Sequence, residues 1–488
     1  MRNLTSGPPV RLILAFSIPL LLGNFFQQSY SLADSAIVGR LISVDALAAV
    51  GATGTMAFLI IGFSWGATAG LAIPVARRFG AGDIQGVKSA IVASGVVAAL
   101  MAATITAIGL IFGYELLRMV NTPDSLMEMA GAYQQVMFAT AALTIAYNWL
   151  AAVIRALGDS RTPLIFLIIS SLLNVVITYA FVGSFGWGVA STAGATGIAQ
   201  AISVVACLVY ARKKMPQMFP DRAAVRSGLA ELAVPARIGL PMGFQMSVIG
   251  IGTVVLQSGI NALGADAVAA ATVASRLEGL AMSPLNTFGV AMVTFVAQNY
   301  GAKEYKRIRI GVFRMSIVAT VVAFTLGFLQ YRFTYQLVGM FTTEASPTTI
   351  DMVATRLQIS AFMYFALGIM FVVRNTVQGL GATAIPTASG FLELGLRAGA
   401  GVVLGGAFGW LGLAWGNPLA WAGACLLCSI SWFSNRRKLV ALEREQGAGM
   451  GTSAELGAGF ITDELLADLT TQSDNALETN RERELAFA

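Results

Sequence analysis

Phe79-Gly80-Ala81-Gly82-Asp83 and Tyr300-Gly301-Ala302-Lys303-Glu304 are two versions of one passage. Each closes a long apolar stretch, and each is followed by basic residues: Lys88 after the first, Lys306 and Arg307 after the second. The shift between them is 300 − 79 = 221 positions, and it also carries Asp45-Ala46-Leu47-Ala48-Ala49 onto Asp266-Ala267-Val268-Ala269-Ala270. A shift of 381 − 158 = 223 carries Gly158-Asp159-Ser160-Arg161-Thr162-Pro163 onto Gly381-Ala382-Thr383-Ala384-Ile385-Pro386. Almost everything between the matches is apolar. A duplicated bundle in lipid is how many carriers build a central site that opens to one side or the other.

Only 11% of the 488 residues are charged, 56% are hydrophobic, and the mean hydropathy is +0.73. A soluble domain carries about 25% charged residues. This chain could not keep its surface solvated and reads as an all-α polytopic membrane protein. The first apolar stretch is too long for the core of a cleaved leader and lacks a small-residue cleavage site, so it reads as a spanning helix. Twelve stretches are long enough to cross a bilayer, with cores near 12–38, 46–76, 89–113, 129–154, 163–183, 189–211, 232–262, 268–298, 311–330, 352–378, 384–407 and 411–433.

Basic residues gather in alternate loops: Arg77, Arg78 and Lys88; Arg155 and Arg161; Arg212, Lys213, Lys214, Arg222 and Arg226; Lys303, Lys306, Arg307 and Arg309; and Arg436, Arg437 and Lys438. Counting Lys and Arg near the span ends puts these loops and both termini in the cytoplasm of a multi-pass plasma-membrane protein of the bacterial inner-membrane type. Segment 212–231 reads as a cytoplasmic loop between an N-terminal six-helix lobe, 1–211, and a C-terminal one, 232–438. The Gly-, Ala- and acid-rich stretch 439–488 reads as a mostly disordered cytoplasmic tail. Pro19, Pro74, Pro163, Pro241, Pro284 and Pro386 recur in both halves, as helix-starting residues or as kinks that help the bundles bend.

Cys207, Cys425 and Cys428 all lie in apolar stretches. Cys425-x-x-Cys428 has redox spacing but sits inside a span with no flanking site, so small packing residues are the reading, and nothing calls for a disulfide or a metal. The chain has no histidine. A proton-coupled mechanism would therefore have to run on a carboxylate.

Ile18-Pro19, Asp34, the Phe79–Asp83 passage, Arg155-Ala156-Leu157-Gly158-Asp159-Ser160-Arg161-Thr162-Pro163 and Asn174 are similar to the multidrug and toxic compound extrusion (MATE) transporters. So are Gly239-Leu240-Pro241 with Gln245, Arg276-Leu277-Glu278, Asn299-Tyr300-Gly301-Ala302 and Gly379-Leu380-Gly381-Ala382-Thr383 in the second half. The resemblance covers about 10–435 and rests on order, spacing and duplication together. It implies two homologous six-helix lobes set as a V around a cavity. It also implies antiport: export of amphipathic, often cationic drugs or metabolites against inward flow of protons or sodium ions. No cofactor is expected beyond that coupling ion. The expected partners are small-molecule substrates and membrane lipids, with no nucleic acid, and the chain is expected to be a monomer rather than an enzyme.

Asp34 is the first candidate for the coupling residue. A carboxylate in a spanning helix costs about 2.5–3.5 kcal/mol at the centre, so it needs a reason. A reversible cation site supplies one; an idle, solvated Asp at the outer helix end is the competing reading. Asn174 could donate to that carboxylate or, with it, coordinate sodium through its amide oxygen. Many relatives carry an acid one turn after this position, where this chain has Thr178. Gln200 falls where relatives often place threonine and could complete the cluster. Interhelical hydrogen bonding is the plainer role for Asn174 and Gln200.

In the second half Glu393 and Arg397 are four apart on one helix face and read as a structural ion pair. Glu278 is assigned to the substrate cavity together with Gln27, Tyr30, Tyr133, Tyr147, Met242, Gln245, Met246, Gln257 and Met282, a soft aromatic and thioether surface suited to varied cations. Ordinary packing is the alternative for each of these. A lipid-linked oligosaccharide flippase of the same broad architecture is the alternative function; it would want a strongly cationic cavity, for which Arg276 and Arg397 are few. A membrane enzyme or receptor lacks a phosphate loop, a nucleophile site and a sizeable soluble domain in this sequence.

Overall fold

The computed structural model describes residues 3–119, 122–339 and 346–449, and every regular element among them is helical. Twelve helices among the described residues are long and apolar enough to cross a membrane. They are α1 (Pro9–Leu41), α2 (Val44–Leu71, resuming after Ala72 as Ile73–Gly80), α3 (Ile84–Met119), α4 (Asp124–Ala156), α5 (Arg161–Tyr179) and α6 (Ala190–Lys214) in the first half. The second half has α7 (Ala233–Asn261), α8 (Ala265–Gly301), α9 (Tyr305–Arg332), α10 (Pro347–Gly379), α11 (Ala384–Gly399) and α12 (Gly416–Gly449). With no solvent to satisfy backbone groups in lipid, helices are the form such apolar runs must take.

The halves repeat each other in detail. In the first, α1 packs on α5, and α2 and α3 pack on α4; in the second, α7 packs on α11, and α8 and α9 pack on α10. Both α5 and α11 run on into a π-helical turn, Ala180–Ser184 and Ala400–Leu404. The duplicated passage folds the same way twice. Gly82 N donates to Phe79 O and Asp83 N to Arg78 O, while Lys303 N donates to Tyr300 O and Glu304 N to Asn299 O. The turn needs a left-handed residue: Gly82 supplies it at φ 74°, and Lys303 takes it at φ 59° in the second copy.

The basic segment after α6 is more ordered than a loop. Arg212–Lys214 end α6, Pro216–Met218 form a 3-10 turn, and Arg222–Ala230 form a short helix on α3. Asp221 caps that helix by accepting from Ala224 N at 2.9 Å and also accepts from Gln85 and Lys88. The backbone bond from Ala224, then the two side chains, hold its carboxyl well below the usual carboxylate range. The chain divides at Val440 into two compact units. Helix α12 ends at Gly449, and residues 450–488 of the expected tail lie outside the described residues.

The halves are bound together at the end that carries the basic loops. Midway, α2 crosses α7 through Gly66 and Gly70 against Gly239 and Gly243: a Cβ on Gly70 would fall 2.7 Å from Gly239 Cα. Small residues four apart let helix backbones approach this closely in lipid. Further along, Arg77 lies 4.7 Å from the Tyr300 ring centre and donates to Leu380 O. Gln298 on α8 donates to Ala156 O of α4 at 2.8 Å and accepts from Leu4 N at 3.1 Å; Asn299 donates back to Leu4 O. The largest apolar cluster at this end joins α2 to α6 residues with Ile238, Met242 and Ala297. Toward the opposite end the clusters separate, Val38, Ala46 and Val189 in one half and Leu256, Ile260, Ala267 and Leu413 in the other.

Candidate functional site

Asp34 lies on the half of α1 away from the bound end. Its side chain is partly covered, and Thr178 on α5 is its side-chain neighbour. Tyr30, one turn earlier on α1, and Tyr133 on α4 are close enough to feel its charge. Asn174, one turn from Thr178, is 3% exposed and donates to Thr196 of α6 at 2.8 Å. Among the described residues Asp34 Oδ1 and Asn174 Oδ1 are buried with nothing donating to them in good geometry, and the Thr178 hydroxyl, beside Asp34, bonds to no other group. Orphaned polar atoms are costly and uncommon in folded proteins, and together they outline an acceptor-rich pocket. Gln200 lies one turn from Thr196 and accepts from Thr144 at 2.5 Å, so its oxygen is already engaged. Thr196 and Thr144 join this polar seam without having been singled out in the sequence; each is a lone hydroxyl on an apolar helix, which carries no signal by itself.

The second half holds two buried charge clusters. Arg356 on α10 grips Glu278 through Nε to Oε1 at 3.1 Å and Nη2 to Oε2 at 2.8 Å, and Ser360 adds a bond of 2.5 Å. Glu278, expected at the substrate cavity, is thus held in an internal ion pair within the lobe. Glu393 accepts from Arg397 at 3.2 Å, and also from Arg374 of α10. Arg356 and Arg374 were not among the residues singled out from the sequence, although an arginine inside a span is itself a signal. Removing one partner of such a pair leaves a bare buried charge, so Arg356→Met is expected to destabilise the protein by about 3–5 kcal/mol. Pairing it with Glu278→Met should recover most of the loss. Unfolding of the detergent-solubilised variants measures both; a single variant as stable as the parent would remove the argument.

Several other residues expected at the cavity make packing or hydrogen-bond contacts in the structure. Tyr147 donates to Pro163 O at 3.1 Å and lies against the core of the first half. Met242 is 5% exposed at the α2–α7 crossing, where Met246 also contacts Gly66. Gln245 is fully buried and accepts from Gln378 at 2.7 Å. Met282 packs into the C-terminal core, and Gln257 donates along its own helix to Asn261. Gln27 is exposed on α1. An inter-lobe cavity of about 260 Å³ lies between α1 and α8, lined by Leu21, Leu22, Phe25, Gln28, Leu280 and Ser283, none of them nominated from sequence. It opens near where Asn24 donates to Thr287 at 3.3 Å across the two halves.

The sequence profile of the MatE family matches residues 19–180 and 241–403, one match in each half. The chain belongs to the MATE family. It is 29% identical over 380 residues to the "Probable multidrug resistance protein YpnP" of Bacillus subtilis (strain 168), covering 78% of this chain and 84% of that protein. A point mutant of the Vibrio cholerae MATE transporter VcmN superposes with a TM-score of 0.81 at 21% identity, over 88% of this chain and 97% of that one. A structure described as the outward-facing conformation of a multidrug resistance MATE transporter of the MOP superfamily superposes with a TM-score of 0.78 at 22% identity, over 91% and 99% of the two chains. A MATE fold of twelve spans in two homologous lobes accounts for the duplicated passage, the repeated helix contacts and the double profile match.

Proposed function

We propose that this chain is a secondary active exporter that exchanges amphipathic, often cationic small molecules for protons or sodium ions. The carrying observation is the pair of buried oxygens Asp34 Oδ1 and Asn174 Oδ1, short of donors among the described residues, beside the Thr178 hydroxyl. One carboxylate among neutral oxygens matches a single positive charge. A proton on Asp34, or a sodium ion held by Asp34 and Asn174, would satisfy oxygens left short of donors among the described residues. Among the described residues no group of three His, Cys, Asp or Glu is placed to hold a metal ion, which fits a monovalent ion better than a divalent one.

Helix α1 carries both parts of the exchange. Leu21, Leu22, Phe25 and Gln28 face the inter-lobe cavity, and Asp34 follows farther along the same helix. An apolar wall with two polar side chains, Gln28 and Ser283, suits a ligand with a greasy body and a polar head. Export then requires that cation and substrate favour different states of the lobes. With the basic loops and both termini in the cytoplasm of a cell-membrane protein, the bound end is the cytoplasmic one and the state is outward-open. The naming of relatives as multidrug resistance proteins supports this reading. The flippase alternative needs a cationic cavity, whereas the lining between α1 and α8 holds no Arg or Lys.

Proteoliposomes loaded with a lipophilic cation test the exchange. An imposed inward gradient of protons alone, or of sodium alone, is expected to drive release in one of the two cases. Release in neither, with the protein folded and inserted, rejects the antiport reading.

A further inference from the structure

One charge on α8 stands outside the ion pairs of the C-terminal lobe. Arg276 lies 276 − 265 = 11 residues from the start of that helix, about 16 Å along the span. Its neighbours Leu277 and Glu278 are buried in the lobe, but Arg276 is exposed. Glu278 is already held by Arg356 and Ser360, and among the described residues no acceptor pairs with Arg276. A charge turned to hydrocarbon at that depth would be costly, so a guanidinium there marks a water-filled cavity and something to bind.

The helix face decides which cavity. Leu280, Ser283 and Thr287 follow Arg276 at four, seven and eleven positions, which is one row along a helix. Thr287 is 1% exposed and closes the seam between the lobes by accepting from Asn24 of α1. Ser283, half-buried, and Leu280, 52% exposed, line the inter-lobe cavity. Exposure thus rises along the row away from the seam, and Arg276 overhangs the same cleft one turn beyond its lining, about 6 Å along the helix from Leu280. The facing wall of α1, Leu21, Leu22, Phe25 and Gln28, brings no acid to it. Asp34 follows Phe25 by 34 − 25 = 9 positions, which turns it to the other side of α1, toward Thr178 of its own lobe.

We infer that Arg276 is a specificity residue of the inter-lobe cleft and binds a carboxylate or phosphate carried by the exported solute. The inference rests on the reading of that cleft as the substrate site, and it narrows the substrate to amphiphiles with an acidic group beside any positive one. The apolar body lies against Leu22, Phe25 and Leu280, and the acid meets the guanidinium fork, whose planar donors match a carboxylate or phosphate.

Binding to purified protein in detergent, with no gradient, tests this apart from the exchange. Tetramethylrhodamine carries a free carboxylate; its methyl ester masks that group and changes little else. Fluorescence polarisation is expected to show the free acid bound about tenfold tighter than the ester, with the difference shrinking at high salt. Arg276→Gln should abolish the preference and leave the ester's affinity unchanged, and Arg276→Lys should keep part of it. A lipid headgroup offers the same chemistry, so dioleoylphosphatidylglycerol is added against phosphatidylcholine; neither is expected to displace the free acid. Equal affinity for the two dyes, binding of neither, a preference that survives in Arg276→Gln, or displacement by phosphatidylglycerol alone overturns the inference. A parent protein that prefers the free acid but releases no dye from loaded vesicles under either gradient fails the exchange reading and not this one.

Discussion

Asp34→Asn is expected to reduce cation-driven export to the level of protein-free vesicles while leaving the protein folded. Asparagine keeps the shape of the side chain and can still reach the Thr178 hydroxyl that neighbours Asp34. What it loses is the ability to exist both charged and neutral, or to hold a sodium ion by charge. A ligand moves a conformational equilibrium only by its difference in affinity between the states, so a lobe that no longer binds the cation has nothing to drive it. Stability should be unchanged or raised, because a neutral amide is easier to bury than a carboxylate. Efflux measured under an imposed gradient, beside a thermal unfolding curve of the same preparation, separates the two effects. Undiminished gradient-driven efflux in Asp34→Asn would remove the mechanism and leave the fold untouched.

The spans and the duplication are legible in the sequence because each depends on something local. A crossing helix needs about 20 apolar residues, and a repeated turn keeps its glycine and its flanking charges. The Glu393–Arg397 contact is legible for the same reason, since a separation of four places both on one helix face. Pairing between helices is another matter. Arg374 reaches Glu393 from α10, and Arg356 reaches Glu278 from 78 positions away, as helix rotation and packing decide. The inter-lobe cavity is harder still. Leu21, Leu22 and Phe25 face the partner lobe, yet their residue types do not differ from those that face lipid. Tyr147 shows the converse: an aromatic ring in a span suits a cavity as well as a core, and only its bond to Pro163 O decides. The acid at Asp34 stood out because ionisable groups are rare in spans. Its polar neighbours did not, because the lack of a donor is a property of the fold and not of the residue.

Gly80→Val is expected to force the bound end of the lobes apart and to stop transport from the opposite side of the cycle. The duplicated passages meet there as an approximate two-fold contact. A Cβ on Gly80 would fall 1.9 Å from Gln298 O, and a Cβ on Gly301 would fall 1.9 Å from Arg77 O. The shift of 221 that relates Gly80 to Gly301 also relates Arg77 to Gln298, so each glycine receives the other copy's backbone. A carbonyl within a helix cannot retreat by itself, so relief comes only from moving one lobe away from the other. That motion breaks the bonds from Gln298 to Ala156 O and from Arg77 to Leu380 O, and it frees Leu4 from Gln298. Packed interfaces switch between discrete arrangements more readily than they stretch, so the population moves to the state open at this end. Each 1.4 kcal/mol of clash shifts that population about tenfold. Ala297, fully buried in this contact, reports the change when replaced by cysteine in a background without Cys207, Cys425 and Cys428. A membrane-impermeant thiol reagent on the basic-loop side should label it about tenfold faster or more in Gly80→Val than in its parent. Equal labelling rates with export intact would mean that the lobes do not separate at this contact during the cycle.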